Sequence, residues 1–162
     1  MNTPSSLQAI VAEARTSGRI GFAHVQRLRR DALADGIGSR AEAELLLGLD
    51  QSLAKRDPAW ERFLVAAVVD FVVWAERPTG TVDEGTARWL QTLLDGSTSS
   101  RTARLIAREV AQEAQLLEQE AAAALAAIGR SRPSDRRPRA VKTTAMPAAS
   151  TPASTTLCRQ AA

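Results

Sequence analysis

The stretch from Asp31 to Glu42 carries the spacing in this chain that comes nearest to known site chemistry. With Asp31 at position one of a calcium loop, Asp35 falls at five, Gly36 at six, Ser39 at nine and Glu42 at twelve. This is the oxygen-ligand series that an EF-hand wraps around a hard cation. Position three, however, is Leu33, which offers no ligand. Position eight is Gly38, where a β-branched apolar residue normally ties the loop to its neighbour. Ser39 and Glu42 also stand at capping-box spacing, in which hydroxyl and carboxylate satisfy orphan amides at a helix start. Capping accounts for the segment without an ion, and a degenerate calcium site at Asp31, Asp35, Ser39 and Glu42 is the alternative reading.

Other reactive groups are sparse. His24 is the lone histidine and Cys158 the lone cysteine. Cys158 lies among Ser, Thr, Pro and Ala, where nothing holds it against His24 for nucleophilic chemistry, and a zinc site would need a mostly carboxylate shell. Asp70 sits inside an apolar run, where burial would raise its pKa, yet it shares a polar stripe with Arg62 and Arg77. Trp60, Trp74 and Trp89 stand among aliphatic residues at helical spacing, as core side chains do. The glycines are scattered, and Gly36-Ile37-Gly38 does not follow a strand, so there is no phosphate loop. These residues predict a non-enzymatic protein with no cofactor.

The elements that position them read as helices. Leu7, Ile10, Val11 and Ala14 make a modest helical pattern, and residues 1–20 are expected to be flexible or weakly helical. Phe22, Val25, Leu28 and Leu33 predict a firmer helix ending at Asp35-Gly36. The Ser39 cap opens a helix that buries Leu45, Leu46, Leu49 and Leu53. Asp57-Pro58 opens the most apolar one, to about Glu76, with Arg62, Ala66, Asp70, Val73 and Arg77 as its polar stripe. Pro78-Thr79-Gly80 breaks it, and Asp83 caps a shorter helix through Trp89, Leu90, Leu93 and Leu94. Trp60, Phe63, Leu64, Phe71, Trp74 and Trp89 are expected in or near the core.

A long last helix is expected over Ser100 to Ile128, its seam formed by Ile106, Val110, Leu117, Leu125 and Ile128 together with Ala114 and Ala121. Ile106, Leu117 and Ile128 recur every eleven residues, a period that keeps a narrow seam straight. Arg101, Arg104 and Arg108 crowd its first half, and Glu113, Glu118 and Glu120 its second, the reverse of what the helix dipole favours. Antiparallel pairing with a protein partner or a second copy would match the opposite halves.

Charge divides the chain. Residues 1–129 carry 14 Lys and Arg against 17 Asp and Glu, while 130–162 carry seven cations against Asp135 alone. The tail cluster Arg130, Arg132, Arg136, Arg137, Arg139 and Lys142 has almost no large apolar residues around it, and 129–162 is expected to be disordered. Its charge could contact nucleic acid or anionic lipid weakly. The longest apolar run, Phe63 to Trp74, is too short for a transmembrane segment and contains Asp70. No secretory signal is legible in residues 1–20, and the expected location is cytoplasmic.

Two junctions echo one another: Asp35-Gly36-Ile37-Gly38-Ser39 and Thr79-Gly80-Thr81-Val82-Asp83. Each has a glycine after a short polar residue and a capping side chain three residues beyond it. With Leu33-Ala34-Asp35-Gly36, Ser39 and Glu42, this pattern resembles the TerB-like helical family, named for tellurite-resistance proteins, over about residues 21–95. The resemblance implies an all-α domain with pseudo-duplicated helix pairs, in a family linked to stress responses, membrane-associated complexes and, in some members, acidic metal positions. Thr79 and Thr86 stand where the second junction would need acidic residues, so a paired metal site is not carried over. The expected organisation is a compact bundle of about five helices: an N-terminal segment 1–20, a helical core 21–95, a long helix 96–128 and a basic tail 129–162. The expected role is that of an interaction or adaptor module, with electrostatic tethering by the tail as the alternative.

Overall fold

The computed structural model describes residues 6–95 and 100–130. Among the described residues seven α-helices dominate: α1 (Ser6–Ser17), α2 (Phe22–Arg27), α3 (Arg40–Ser52), α4 (Pro58–Asp70), α5 (Glu84–Asp95), α6 (Ser100–Glu113) and α7 (Gln119–Arg130). Two parallel pairs of two-residue strands link them, β1 (Arg19–Ile20) with β2 (Lys55–Arg56) and β3 (Thr81–Val82) with β4 (Leu116–Leu117). The all-α class is as expected. The strands are too short to leave any period-two signature.

The expected capping side chains engage the helix starts, with one shift: the Glu42 carboxylate reaches past the N-cap Ser39 to the amide of Gly38. Ser39 Oγ accepts from the Glu42 amide at 3.4 Å, and Glu42 Oε2 accepts from the Gly38 amide at 2.8 Å. Asp57 Oδ1 accepts from the Ala59 amide at 2.7 Å ahead of Pro58, and Asp83 Oδ1 from the Thr86 amide at 2.7 Å. That amide bond, with the Thr86 hydroxyl, holds the Asp83 carboxyl below its ordinary pKa.

The echoed junctions share their geometry. Each follows a helix that widens into a π turn, Leu28–Ala32 after α2 and Phe71–Ala75 after α4. Gly36 and Gly80 then take φ of 86° and 79°, values that L side chains seldom adopt. Ile37, one residue beyond Gly36, and Val82, two beyond Gly80, are both buried. Arg40 crosses between the halves. It makes a two-pronged ion pair with Glu76 at 2.8 Å, donates to Thr86 Oγ1 at 3.1 Å and stacks 5.0 Å from the Trp89 ring centre.

Three expectations are corrected. Residues 6–17 are a regular helix whose Leu7, Ile10, Val11 and Ala14 are all buried, not a weakly ordered lead-in. Phe22, expected along the same side of its helix as Val25 and Leu28, is 60 % exposed while those two are buried.

The third correction is the long last helix, which is two helices. At Gln115 and Leu116 the backbone amides leave the helix and donate to the Gly80 carbonyl at 2.9 and 3.1 Å, and Glu118 donates to the Val82 carbonyl at 3.3 Å. The bend therefore exchanges intrahelical bonds for β3–β4 pairing at these three amides. Glu118 Oε2 also accepts from the Glu84 amide at 3.0 Å, capping α5 from the neighbouring element. After the bend α7 packs back along α6 and α5.

Candidate interaction groove

The seam residues do not face a partner. Ile106, Val110, Leu125 and Ile128 are buried in the chain's own core, and Leu117 is half-buried against it. Ala114 packs beside them and Ala121 is fully buried. Because the helix bends at Ala114 to Glu118, its two halves cover one another and the flanks of α4 and α5, which removes the free seam that a second copy would use.

The calcium-spaced residues are engaged locally. Asp31 lies in the first π turn and pairs with Arg30 at 2.7 Å, which holds its carboxyl below the usual range. Asp35 is exposed at the turn, while Ser39 and Glu42 serve the cap already described. Among the described residues no group of three or more His, Cys, Asp or Glu side chains converges to hold a metal ion. His24 Nδ1 accepts from the Gly21 amide at 3.4 Å, and its Nε2 stands 3.6 Å from Glu13. Glu13 also pairs with Arg27 at 2.6 Å, whose hydrogen bond and charge lower the carboxyl's pKa. Of the tail cluster, Arg130 closes α7 and is exposed; Arg132, Arg136, Arg137, Arg139 and Lys142 lie outside the described residues.

Asp50 was not legible as a special residue. It lies on α3, 2 % exposed, and accepts from the Trp60 indole Nε1–H at 2.9 Å. Arg56 Nε stands 3.2 Å from the same Oδ1. Burial pushes the Asp50 carboxyl up, opposed by the Trp60 bond and the Arg56 charge. A raised carboxyl retains its proton in the folded state after the unfolded chain has lost it, so its contribution to stability falls as pH rises through the folded pKa. The unfolding free energy of the wild type relative to Asp50→Asn is therefore expected to decline as pH rises above about 4 and then level off. Urea titrations across that range read the slope; a difference rising with pH would show a lowered carboxyl instead.

A groove of about 500 Å³ lies between α4 and α6. Val65, Ala66, Val69, Trp74 and Leu105 contribute its apolar surface, and Glu61, Asp70, Glu109 and Glu113 its acidic edges. The two helices run in the same direction: Arg101 pairs with Glu61 at 3.1 Å near their N-terminal ends, and Glu113 lies with Trp74 toward the other. The exposed face of α4 runs Arg62, Ala66, Asp70 and Trp74, one residue per turn. Val73, expected on the polar stripe, is fully buried, and Trp74, expected in or near the core, is 39 % exposed. The stripe's period was correct, but its phase near Trp74 was not.

Charge within the groove is unevenly balanced. Glu61 is matched by Arg101 and Glu109 by Arg108 at 2.6 Å, while Arg62 Nε donates back to the Pro58 carbonyl. Asp70 and Glu113 have no ion-pair partner among the described residues. The groove thus brings a partly exposed Trp74 together with two carboxylates that lack an ion-pair partner among the described residues. That combination suits a guanidinium or ammonium, attracted both by the ring and by the charges. Leu116, 61 % exposed, follows Glu113 by three residues and adds apolar surface beyond that end.

Among the described residues no helix is long and apolar enough to cross a membrane. Compared with models of protein families, with curated proteins and with solved structures, the chain matched none.

Proposed function

We propose that this chain is a non-enzymatic helical interaction module of the TerB-like type, which binds a cationic, partly apolar segment of a protein partner in the α4–α6 groove. The observation that carries this reading is Trp74, exposed in an apolar groove beside the unpaired Asp70 and Glu113. Interface hot spots are enriched in Trp and Arg, and here the Trp lies in a groove with apolar neighbours rather than singly on the surface. The matched glycine junctions and π turns support the pseudo-duplicated helix pairs of the TerB-like reading. The same reading places the module in the cytoplasm, where the single Cys158 would stay reduced.

A synthetic peptide of Leu, Ala and Arg, patterned as an amphipathic helix, tests the groove. Titrated into isotope-labelled protein, it is expected to shift the Trp74 indole resonance and the amides of Val69, Asp70, Leu105 and Glu109 saturably. Changing Asp70→Asn with Glu113→Gln is expected to weaken binding roughly ten-fold or more, the effect of losing charge-assisted contacts. Weak shifts spread evenly over every acidic surface would overturn the reading.

A further inference from the structure

α7 returns along α6, so its last residue, Arg130, arrives at the end of the bundle where Arg101 pairs with Glu61. The chain continues from there for 32 more residues, beginning with the cation cluster that ends at Lys142. The α4–α6 groove spans Glu61 to Trp74, roughly 20 Å at the rise of an α-helix. Six to nine residues of extended chain reach roughly 20 to 30 Å, which brings Arg136, Arg137 and Arg139 level with the Trp74 end. Arg62 lines the groove beside Glu61, which Arg101 already pairs, and repels cations at the near end, while Asp70 and Glu113 line it further along without an ion-pair partner among the described residues. Ala140-Val141 follow the arginines and offer small apolar side chains to the region of Trp74 and Leu116.

We infer that the segment from Arg130 to Lys142 occupies the α4–α6 groove of its own chain, with Arg136, Arg137 and Arg139 against Trp74, Asp70 and Glu113. This rests on the groove reading above and adds its occupant in the free protein. The tail is then an internal competitor, which any partner segment must displace. A tether this short gives an effective concentration of the order of millimolar, enough to block weak external ligands.

The test compares the full chain with a full-length variant carrying Arg132→Gln, Arg136→Gln, Arg137→Gln, Arg139→Gln and Lys142→Gln. In the wild type the Trp74 indole resonance is expected to differ from that of the variant and to move toward it as sodium chloride is added. A peptide of residues 130–142 supplied in trans is expected to saturate the variant's groove and to bind the wild type at least ten-fold more weakly. The Leu-Ala-Arg probe should show the same preference for the variant. If that probe binds both chains equally and their Trp74 resonances coincide, the groove reading stands and the tail is not its occupant. If neither probe nor peptide binds either chain, both readings fall.

Discussion

Replacing Trp60 with alanine is expected to cost about 3–5 kcal/mol of folding free energy, the range for truncating a fully buried aromatic side chain. Trp60 is completely buried, packs 5.9 Å from the Phe63 ring centre and donates its indole proton to Asp50. Its removal opens a cavity and strips a hydrogen bond from a carboxylate that has little access to water. Since small domains are stable by only about 5–15 kcal/mol, a shift of this size should move the urea midpoint far down or leave the chain partly unfolded. Trp60→Phe separates the two contributions. It keeps most of the volume and loses the donor, so a smaller loss of about 1–3 kcal/mol is expected. If Trp60→Ala unfolds within experimental error of the wild type, the packing described here around α4 is wrong.

Ile106→Asp is expected to do comparable or greater damage, because it forces a carboxylate into the contact between α6 and the body. Ile106 is fully buried, and an unpaired charge at such a position costs several kcal/mol even after its pKa shifts. Loss of helical circular dichroism at neutral pH is the expected result. The opposite outcome is informative: a variant that stays folded but sediments differently would restore the seam to the role of a partner surface. The two views differ because a seam packed inside its own bundle is needed for folding, whereas a seam reserved for a partner is not.

Local chemistry was legible wherever one residue or a short spacing decides the outcome. Ser39 with Glu42, Asp57 with Pro58, and Asp83 each cap a helix as their positions require, since a cap draws on only three or four neighbouring residues. The glycines of the two junctions were recognisable for a similar reason: a left-handed backbone selects glycine whatever surrounds it. The α4–α6 groove was only partly legible. The i, i+4 spacing of Arg62, Ala66 and Asp70 marked a solvent face, but the widening of α4 into its π turn shifts the phase, burying Val73 and exposing Trp74.

Sequence alone was sufficient for the helical class, the caps and the opposite charges of body and tail, because these follow from composition and from contacts within a turn or two of chain. Tertiary structure decided where the last helix bends. Residues 114–118 hold neither glycine nor proline, and only the Gly80 and Val82 carbonyls, remote in sequence, draw the Gln115, Leu116 and Glu118 amides out of helical pairing. It likewise decided that Asp50 is buried beside Trp60 and that Asp70, Trp74 and Glu113 line one groove. Residues brought together from separate helices leave no spacing rule to read, since their proximity depends on how those helices pack.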